Sequence, residues 1–176
     1  MIVVMVLFAT ISAMAIPVMQ DFGGAIALGT AQRMVASELQ QARMKAVTTS
    51  RVMRVRFNCP SANQFRSVEL IGTPSIPAAQ DTAANRCSDS LYPFPAGDLN
   101  PVTLPNQDGP IRRIDPKVSL GAVQTIEFRP SGMAYSVNAD GTSTLPLDGN
   151  GVSLTVTKGS QSKTVTVNPL GKIQAQ

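Results

Sequence analysis

The first 20 residues, MIVVMVLFATISAMAIPVMQ, carry no charged side chain; the first acid is Asp21 and the first cation Arg33. About 20 consecutive apolar residues in a helix span the hydrocarbon core of a bilayer, so this run constrains the chain more than any other stretch. Thr10 and Ser12 can return hydrogen bonds to helix carbonyls, and Pro17 removes one helical bond, which membrane helices tolerate. Three kinds of segment fit. A cleaved export signal is favoured by the tripeptide Ala13-Met14-Ala15, but no basic flank precedes the apolar run. A buried core helix suits poorly a terminal segment that is apolar on every face. A membrane anchor that continues into an amphipathic helix is preferred, because a helical period with a polar face takes over after Ala25.

Leu28, Ala31, Val35, Leu39, Ala42 and Ala46 recur at steps of three and four, which is one apolar stripe along a helix. Gln32, Arg33, Ser37, Gln40, Gln41, Arg43 and Lys45 fall mostly on the other faces. Gly23, Gly24 and Gly29 weaken the junction between the two halves. No proline lies between Val18 and Cys59, so the spacing predicts one long helix over about 2–48. Its apolar half covers 1–20, and its amphipathic half, 21–48, packs on a globular domain of residues 49–176.

That domain reads as β. Between Arg51 and Phe57, Met53, Val55 and Phe57 alternate with Val52, Arg54 and Arg56. A second strand is expected over Gln64–Ile71, and others over Val123–Arg129, Met133–Val137 and Lys172–Gln176. Val152, Leu154 and Val156 alternate with polar residues, as do Val165 and Val167 after a Gly-Ser link, which is the clearest hairpin signal in the chain. Residues 72–118 hold eight of the 13 prolines and read as a long irregular excursion. The expected fold class is α+β, with the long N-terminal helix packed on an antiparallel sheet or sandwich. No βαβ alternation points to a nucleotide-binding parallel sheet.

The chain has no histidine, two cysteines and two tyrosines, and no tryptophan. Without histidine there is no imidazole base, no Ser-His-Asp or Cys-His arrangement and no His metal ligand. Two cysteines cannot supply a structural four-ligand zinc site. Neither a catalytic residue, a cofactor nor a metal is expected, and the chain reads as a structural or binding protein, not an enzyme. Downstream of an export or membrane segment, Cys59 and Cys87 are expected to form a disulfide, with two free thiols as the alternative. The closed loop of about 29 residues corresponds to roughly 3.6 kcal/mol of chain entropy. Asp81, Asp89, Asp98, Asp108, Asp115, Asp140 and Asp148 sit mostly near proline or glycine and read as turn residues. Asn138–Gly141 and Asp148–Gly151 resemble fragments of calcium loops but lack the full acidic set, so turns are the better reading.

Charge is unevenly placed. Between Arg33 and Arg66 there are seven Lys or Arg and one acid, Glu38, whereas from Gly72 onward there are eight of each sign. Arg54 and Arg56 share a strand face, with Arg66 near in sequence. Arg51, Arg54, Arg56 and Arg66 are therefore candidates for contact with DNA or with an acidic partner, and a family resemblance adds Lys172. A solvated strand face accounts for the same residues.

Ile2-Val3-Val4-Met5-Val6 and Met14-Ala15-Ile16-Pro17, joined without a break to an amphipathic helix and then a β domain, resemble a type IV pilin-like protein. Within that superfamily the chain is similar to the GspH/FimT group of minor pseudopilins and minor pilins. Ala36–Arg43 followed by Ala46 resembles their Leu-x-x-Ala-Arg-x-x-Ala helix end, and Val52–Phe57 their first strand. Ile126–Gly132 resembles their Phe-x-x-x-Gly strand and turn, and Thr164–Ile173 their closing strand. Residues 72–118 are unmatched. The group's Gly-Phe-Thr-x-x-Glu start, where prepilin peptidase cuts, is missing; the expectation is that Met1 is an internal start and the true chain is longer, with a copy that cannot be processed as the alternative.

The resemblance implies a structural subunit of a type II secretion pseudopilus or a type IV pilus. Ile2, Val3, Val4, Val6, Leu7, Phe8, Ile11, Ile16 and Pro17 would belong to a helix held in the inner membrane and later buried among neighbours in a fibre. The chain would be single-pass, with its globular domain in the periplasm. The implied partners are other major and minor pilins or pseudopilins, the inner membrane, and prepilin peptidase if the chain is longer. Two alternatives stand beside it. One is a DNA-binding minor pilin of a competence pilus, although the basic Gly-Arg-x-Arg tail of such relatives is matched here only by Gly171-Lys172-Ile173-Gln174. The other is a soluble exported periplasmic binding protein.

Overall fold

The computed structural model describes residues 2–73, 78–95, 107–121, 124–138, 141 and 144–176, with side chains from residue 23 onward except at 79 and 83. Helix α1 runs without interruption over Ile2–Thr49, 48 residues, or about 72 Å at 1.5 Å per residue. The side chains of Ile2, Val3, Val4, Val6, Leu7, Phe8, Ile11, Ile16 and Pro17 lie outside the described residues. Among the described residues no helix is long and apolar enough to cross a membrane.

Ten strands follow among the described residues: β1 Met53–Phe57, β2 Gln64–Glu69, β3 Arg112–Arg113, β4 Ser119–Leu120, β5 Thr125–Phe128, β6 Ala134–Val137, β7 Thr144–Pro146, β8 Val152–Lys158, β9 Gln161–Val167 and β10 Ile173–Ala175. A 3-10 turn, Ala79–Asp81, and a one-turn helix α2, Ala83–Arg86, lie between β2 and β3. One sheet has the order β3-β2-β1-β5-β6-β7 and the other β10-β9-β8-β4, and the strand pairs are antiparallel. This is the α+β layout of a helix on antiparallel sheets. The β8–β9 link is tighter than its sequence suggests: Lys158 pairs with Gln161, and Gly159 takes φ +57°, a conformation glycine adopts without steric cost.

The apolar stripe of α1 is the seam that joins the two sheets. Leu28, Ala31, Val35, Leu39, Ala42 and Ala46 are all buried, together with Met53, Val55, Phe65, Ile126 and Phe128 of the first sheet and Leu154, Val156, Val165 and Val167 of the second. The alanines at 31, 42 and 46 let the helix backbone approach the sheets closely. Polar ties set the helix in register. Gln32 Nε2 donates to the carbonyls of Thr164 (2.8 Å) and Gln176 (2.6 Å), fixing the C-terminus. Glu38, buried, accepts from Ser67 Oγ at 2.6 Å and from Arg112 Nε at 3.2 Å. The first sheet also meets the turn between β9 and β10, through Ala134 N–H to the Pro169 carbonyl (3.0 Å).

Candidate functional site

The basic stretch is the natural place to look for a site, and the fold turns three of its seven cations inward. β1 is buried on both faces: Met53 and Val55 point to the helix, while Arg54 is 0% and Arg56 5% exposed on the opposite face. Arg66 on β2 is 0% exposed. The expected surface patch of Arg54, Arg56 and Arg66 is thus corrected. The residues do share a face, but the 78–95 excursion and neighbouring loops cover it.

Strand register explains the chemistry of this face. Arg56 lies directly opposite Arg66 in the β1–β2 pair, and Arg54 directly opposite Glu127 in the β1–β5 pair. Like charges opposed across strands repel, and opposite charges attract. Arg54 Nε accordingly donates to Glu127 Oε2 at 2.9 Å, and Glu127 also accepts from Arg129 Nε at 3.1 Å. The Arg129 guanidinium lies 3.8 Å from the centre of the Tyr135 ring. The Arg56–Arg66 repulsion is relieved by drawing acceptors from the excursion. Arg56 Nη2 donates to the Asp81 carbonyl at 2.6 Å. Arg66 donates to the carbonyls of Gly109 (2.8 Å) and Tyr92 (2.6 Å).

Arg86 of α2 completes the clasp. It is 0% exposed, donates to the Glu69 carbonyl at 2.9 Å, and pairs with Asp108. Its guanidinium stands 4.4 Å from the centre of the Tyr92 ring. Asp108 also accepts from Glu69 N–H at 2.8 Å, and Asp81 from Ile71 and Gly72 N–H at 3.1 and 2.9 Å. Next to Arg86, Cys87 is disulfide-bonded to Cys59, with Cα atoms 5.0 Å apart. Burial lowers the Arg56 pKa to about 10, with Arg54 adding to the effect and Asp81 opposing it. Burial likewise lowers Arg66 and raises the Asp108 carboxyl. Arg54 Nη2, Arg56 Nε, Arg66 Nη1, Arg86 Nε and Nη1, and Asp108 Oδ2 are buried without a hydrogen-bond partner. The cluster is therefore costly in desolvation and depends on every pair it keeps.

The other named candidates lie elsewhere. The Arg51 side chain is 43% exposed and 3.6 Å from Glu69. Lys172 is exposed. It lines a groove of about 550 Å³ between the end of α1 and the turn before β10. Met44, Val47 and Ile173 supply the apolar wall and Arg43 a second cation. Arg43 reaches across to the carbonyls of Gly132 (3.1 Å) and Leu170 (3.2 Å). Gly171, at φ +73°, forms part of the lining, and a Cβ there would overlap the Gly132 carbonyl.

Sequence reasoning missed Arg86, Asp108, Asp81, Glu127 and Glu38 as partners. Asp81 and Asp108 read as turn acids, yet both are buried. Of the other acids read as turn residues, Asp98 and Asp140 lie outside the described residues. At the two calcium-like fragments the chain turns, with Gly141 N–H on the Asn138 carbonyl and Gly151 N–H on the Asp148 carbonyl, both 2.9 Å. The one available signal was Glu127, a charge between Ile126 and Phe128 in an apolar strand.

A family model described as Type II transport protein GspH matches residues 31–171. No curated protein sequence matches the chain. Among solved structures, the type IV minor pilin FimU of Pseudomonas aeruginosa is 12% identical, with 88% of this chain and 92% of that chain covered and a TM-score of 0.50. The minor pseudopilin EpsH from the Type 2 Secretion System of Vibrio cholerae is 10% identical, with 85% and 95% covered and a TM-score of 0.47. The likeness to FimU concerns the fold.

Proposed function

The chain belongs to the GspH family of type II transport proteins, and from that premise we propose that it is a minor structural subunit of a type II secretion pseudopilus or a type IV pilus. The observation that carries the reading is the division of α1. One continuous helix runs over Ile2–Thr49, but the helix residues in the described core begin at Leu28. The uncharged first 20 residues thus extend the same rod beyond the part that the sheets use. A rod of that composition needs lipid or other apolar helices around it. Inner-membrane anchoring with the β domain in the periplasm, followed by transfer into a fibre, supplies both in turn. Fibre partners would be other pilin-like subunits.

The inward-turned arginines support a structural role over nucleic-acid binding. Phosphate contacts require cations at the surface, and Arg54, Arg56 and Arg66 are committed to carboxylates and carbonyls inside the domain.

The test is to express the tagged chain in a host that assembles such fibres and to shear and purify them. The chain is expected in the fibre fraction, and Val6→Asp, which places a charge in the apolar run, should remove it. Recovery only as a free periplasmic protein cut after Ala15 would overturn the reading in favour of an exported soluble protein.

A further inference from the structure

Resting on the reading of α1 as a membrane anchor, we propose that the β8–β9 hairpin meets the lipid phosphates of an anionic bilayer through Lys158 and Lys163, and so sets the depth and tilt of the helix before the chain enters a fibre. Strand pairing places both lysines on the face that packs on α1. Leu154, Val156, Val165 and Val167 form the buried row of that face. Lys158 and Lys163 continue the row toward the turn, Lys158 opposite Gln161 and Lys163 opposite Val156. The row thus changes from apolar groups to ammonium groups where the core ends. The Lys158 stem lies against α1 at Gly24, its Cε and Nζ 3.7 and 3.8 Å from where a Cβ would stand, and Lys163 Nζ is 3.7 Å from the same point at Gly29. A lysine can rest its stem on apolar surface and keep its head in a polar layer. Among the described residues neither ammonium has an ion pair or a hydrogen bond.

The height of the two lysines along the helix fits this partner. The uncharged run ends at Gln20, and Gly24 lies four residues on, about 6 Å of helix rise. The headgroup layer of a bilayer is about 5–7 Å thick on each side. A run that ends at the hydrocarbon edge therefore puts Lys158 level with the phosphates. Gly29, where Lys163 rests, is about 8 Å further along the rod, within a Debye length of that layer. Charge at this end is mostly of one sign. No acid follows Asp148, so β8, β9 and β10 hold none. Because Ser119 pairs with Thr157, β4 brings exposed Lys117 toward the same end, with Asp115 beside it offsetting one charge. On α1, Asp21 and Arg33 cancel. Ile26, 70% exposed, adds an apolar side chain between the two lysine contacts. An anionic leaflet attracts lysines held near its surface, and interfacial lysines help to set the tilt of a membrane helix. An acidic protein could meet the same ammonium groups, but their place beside the end of the uncharged run favours lipid.

The experiment uses the full chain reconstituted in phosphatidylcholine vesicles with and without phosphatidylglycerol. A nitroxide on Ser160→Cys, read by its collisions with oxygen and with a water-soluble nickel complex, reports the depth of the hairpin. A nitroxide on Val6→Cys reports insertion of the helix. The expected result is a Ser160 label at the level of the phosphates when phosphatidylglycerol is present. Lys158→Gln and Lys163→Gln should each lower the ratio of docked to free hairpin about fivefold, and high salt should lower it too. The pair Lys158→Arg with Lys163→Arg should keep the contact, a result that misfolding would not produce. A Ser160 label in bulk water with the Val6 label in hydrocarbon overturns the lipid contact and leaves the anchor standing. A Val6 label in water with the hairpin still on anionic vesicles does the reverse, and both labels in water overturn both. Docking that is as strong on phosphatidylcholine alone, or that survives the double glutamine change, overturns the role of the lysines.

Discussion

The helix seam and the 78–95 excursion are held to the same sheet by opposite means. On the inner face, α1 lays Leu28, Val35, Leu39 and three alanines against Met53, Val55, Phe65 and Phe128, with Glu38 as a paired polar anchor. On the outer face, Arg56 and Arg66 meet backbone carbonyls of the covering loops, while Arg54 meets the Glu127 carboxylate of β5. Apolar contact is non-directional, so the seam resists any one change by degrees. A buried ion pair is directional and heavily desolvated, so the clasp stands or falls on individual atoms. One face thus tolerates drift, while the other holds a loop in one defined place.

The strongest way to break this contrast is Arg86→Ala, which strands Asp108 among other buried charges. We expect a loss of about 3–5 kcal/mol in urea titrations of the detergent-solubilised chain. Amide exchange should speed up over 78–95 while the α1 amides near Leu39 stay protected. The paired change Arg86→Met with Asp108→Leu should recover most of the loss; if it does not, the cluster is more than a clasp. Leu39→Ala tests the other side. Its cost should be about 2–5 kcal/mol, and exchange should rise in the helix and both sheets together. If Leu39→Ala loosened only the helix, the seam would not be a single core.

Cys59→Ala with Cys87→Ala should cost about 2–4 kcal/mol, close to the loop-entropy estimate, with limited proteolysis first seen inside 78–95. The smallest effect is expected at Arg51. Its side chain is 43% exposed and its contact with Glu69 is long at 3.6 Å, so Arg51→Ala should cost roughly 0–1 kcal/mol. A loss there as large as that of Arg86→Ala would erase the distinction between exposed and buried arginines on which the contrast rests.

Much of the apolar side is legible in the order of residues. The stripe at 28, 31, 35, 39, 42 and 46 shows in the spacing alone and is buried throughout. The β8–β9 hairpin is equally plain, and the strands at β1, β2, β5 and β6 appear within a few residues of their expected positions. The short strands β3, β4 and β7 leave no signal, because two or three residues carry no period. The polar side is largely illegible. Nothing along the chain says that Arg56 faces Arg66 or that Arg54 faces Glu127, since both facts are matters of strand register.

By itself the sequence determined the uncharged run, the helix that continues it, the β character of the rest and an approximate count of its strands. These follow from local periodicity, which the backbone imposes wherever the chain goes. Tertiary structure alone decided which charges are buried. A positive excess over residues 33–66 reads as a basic surface, and two of its arginines, Arg56 and Arg66, became instead the interior fastening of a proline-rich excursion. Whether an arginine meets water or a carboxylate depends on what a distant segment brings to it. Arg86 and Asp108, 22 residues apart and bonded, are joined by the fold and by no pattern along the chain.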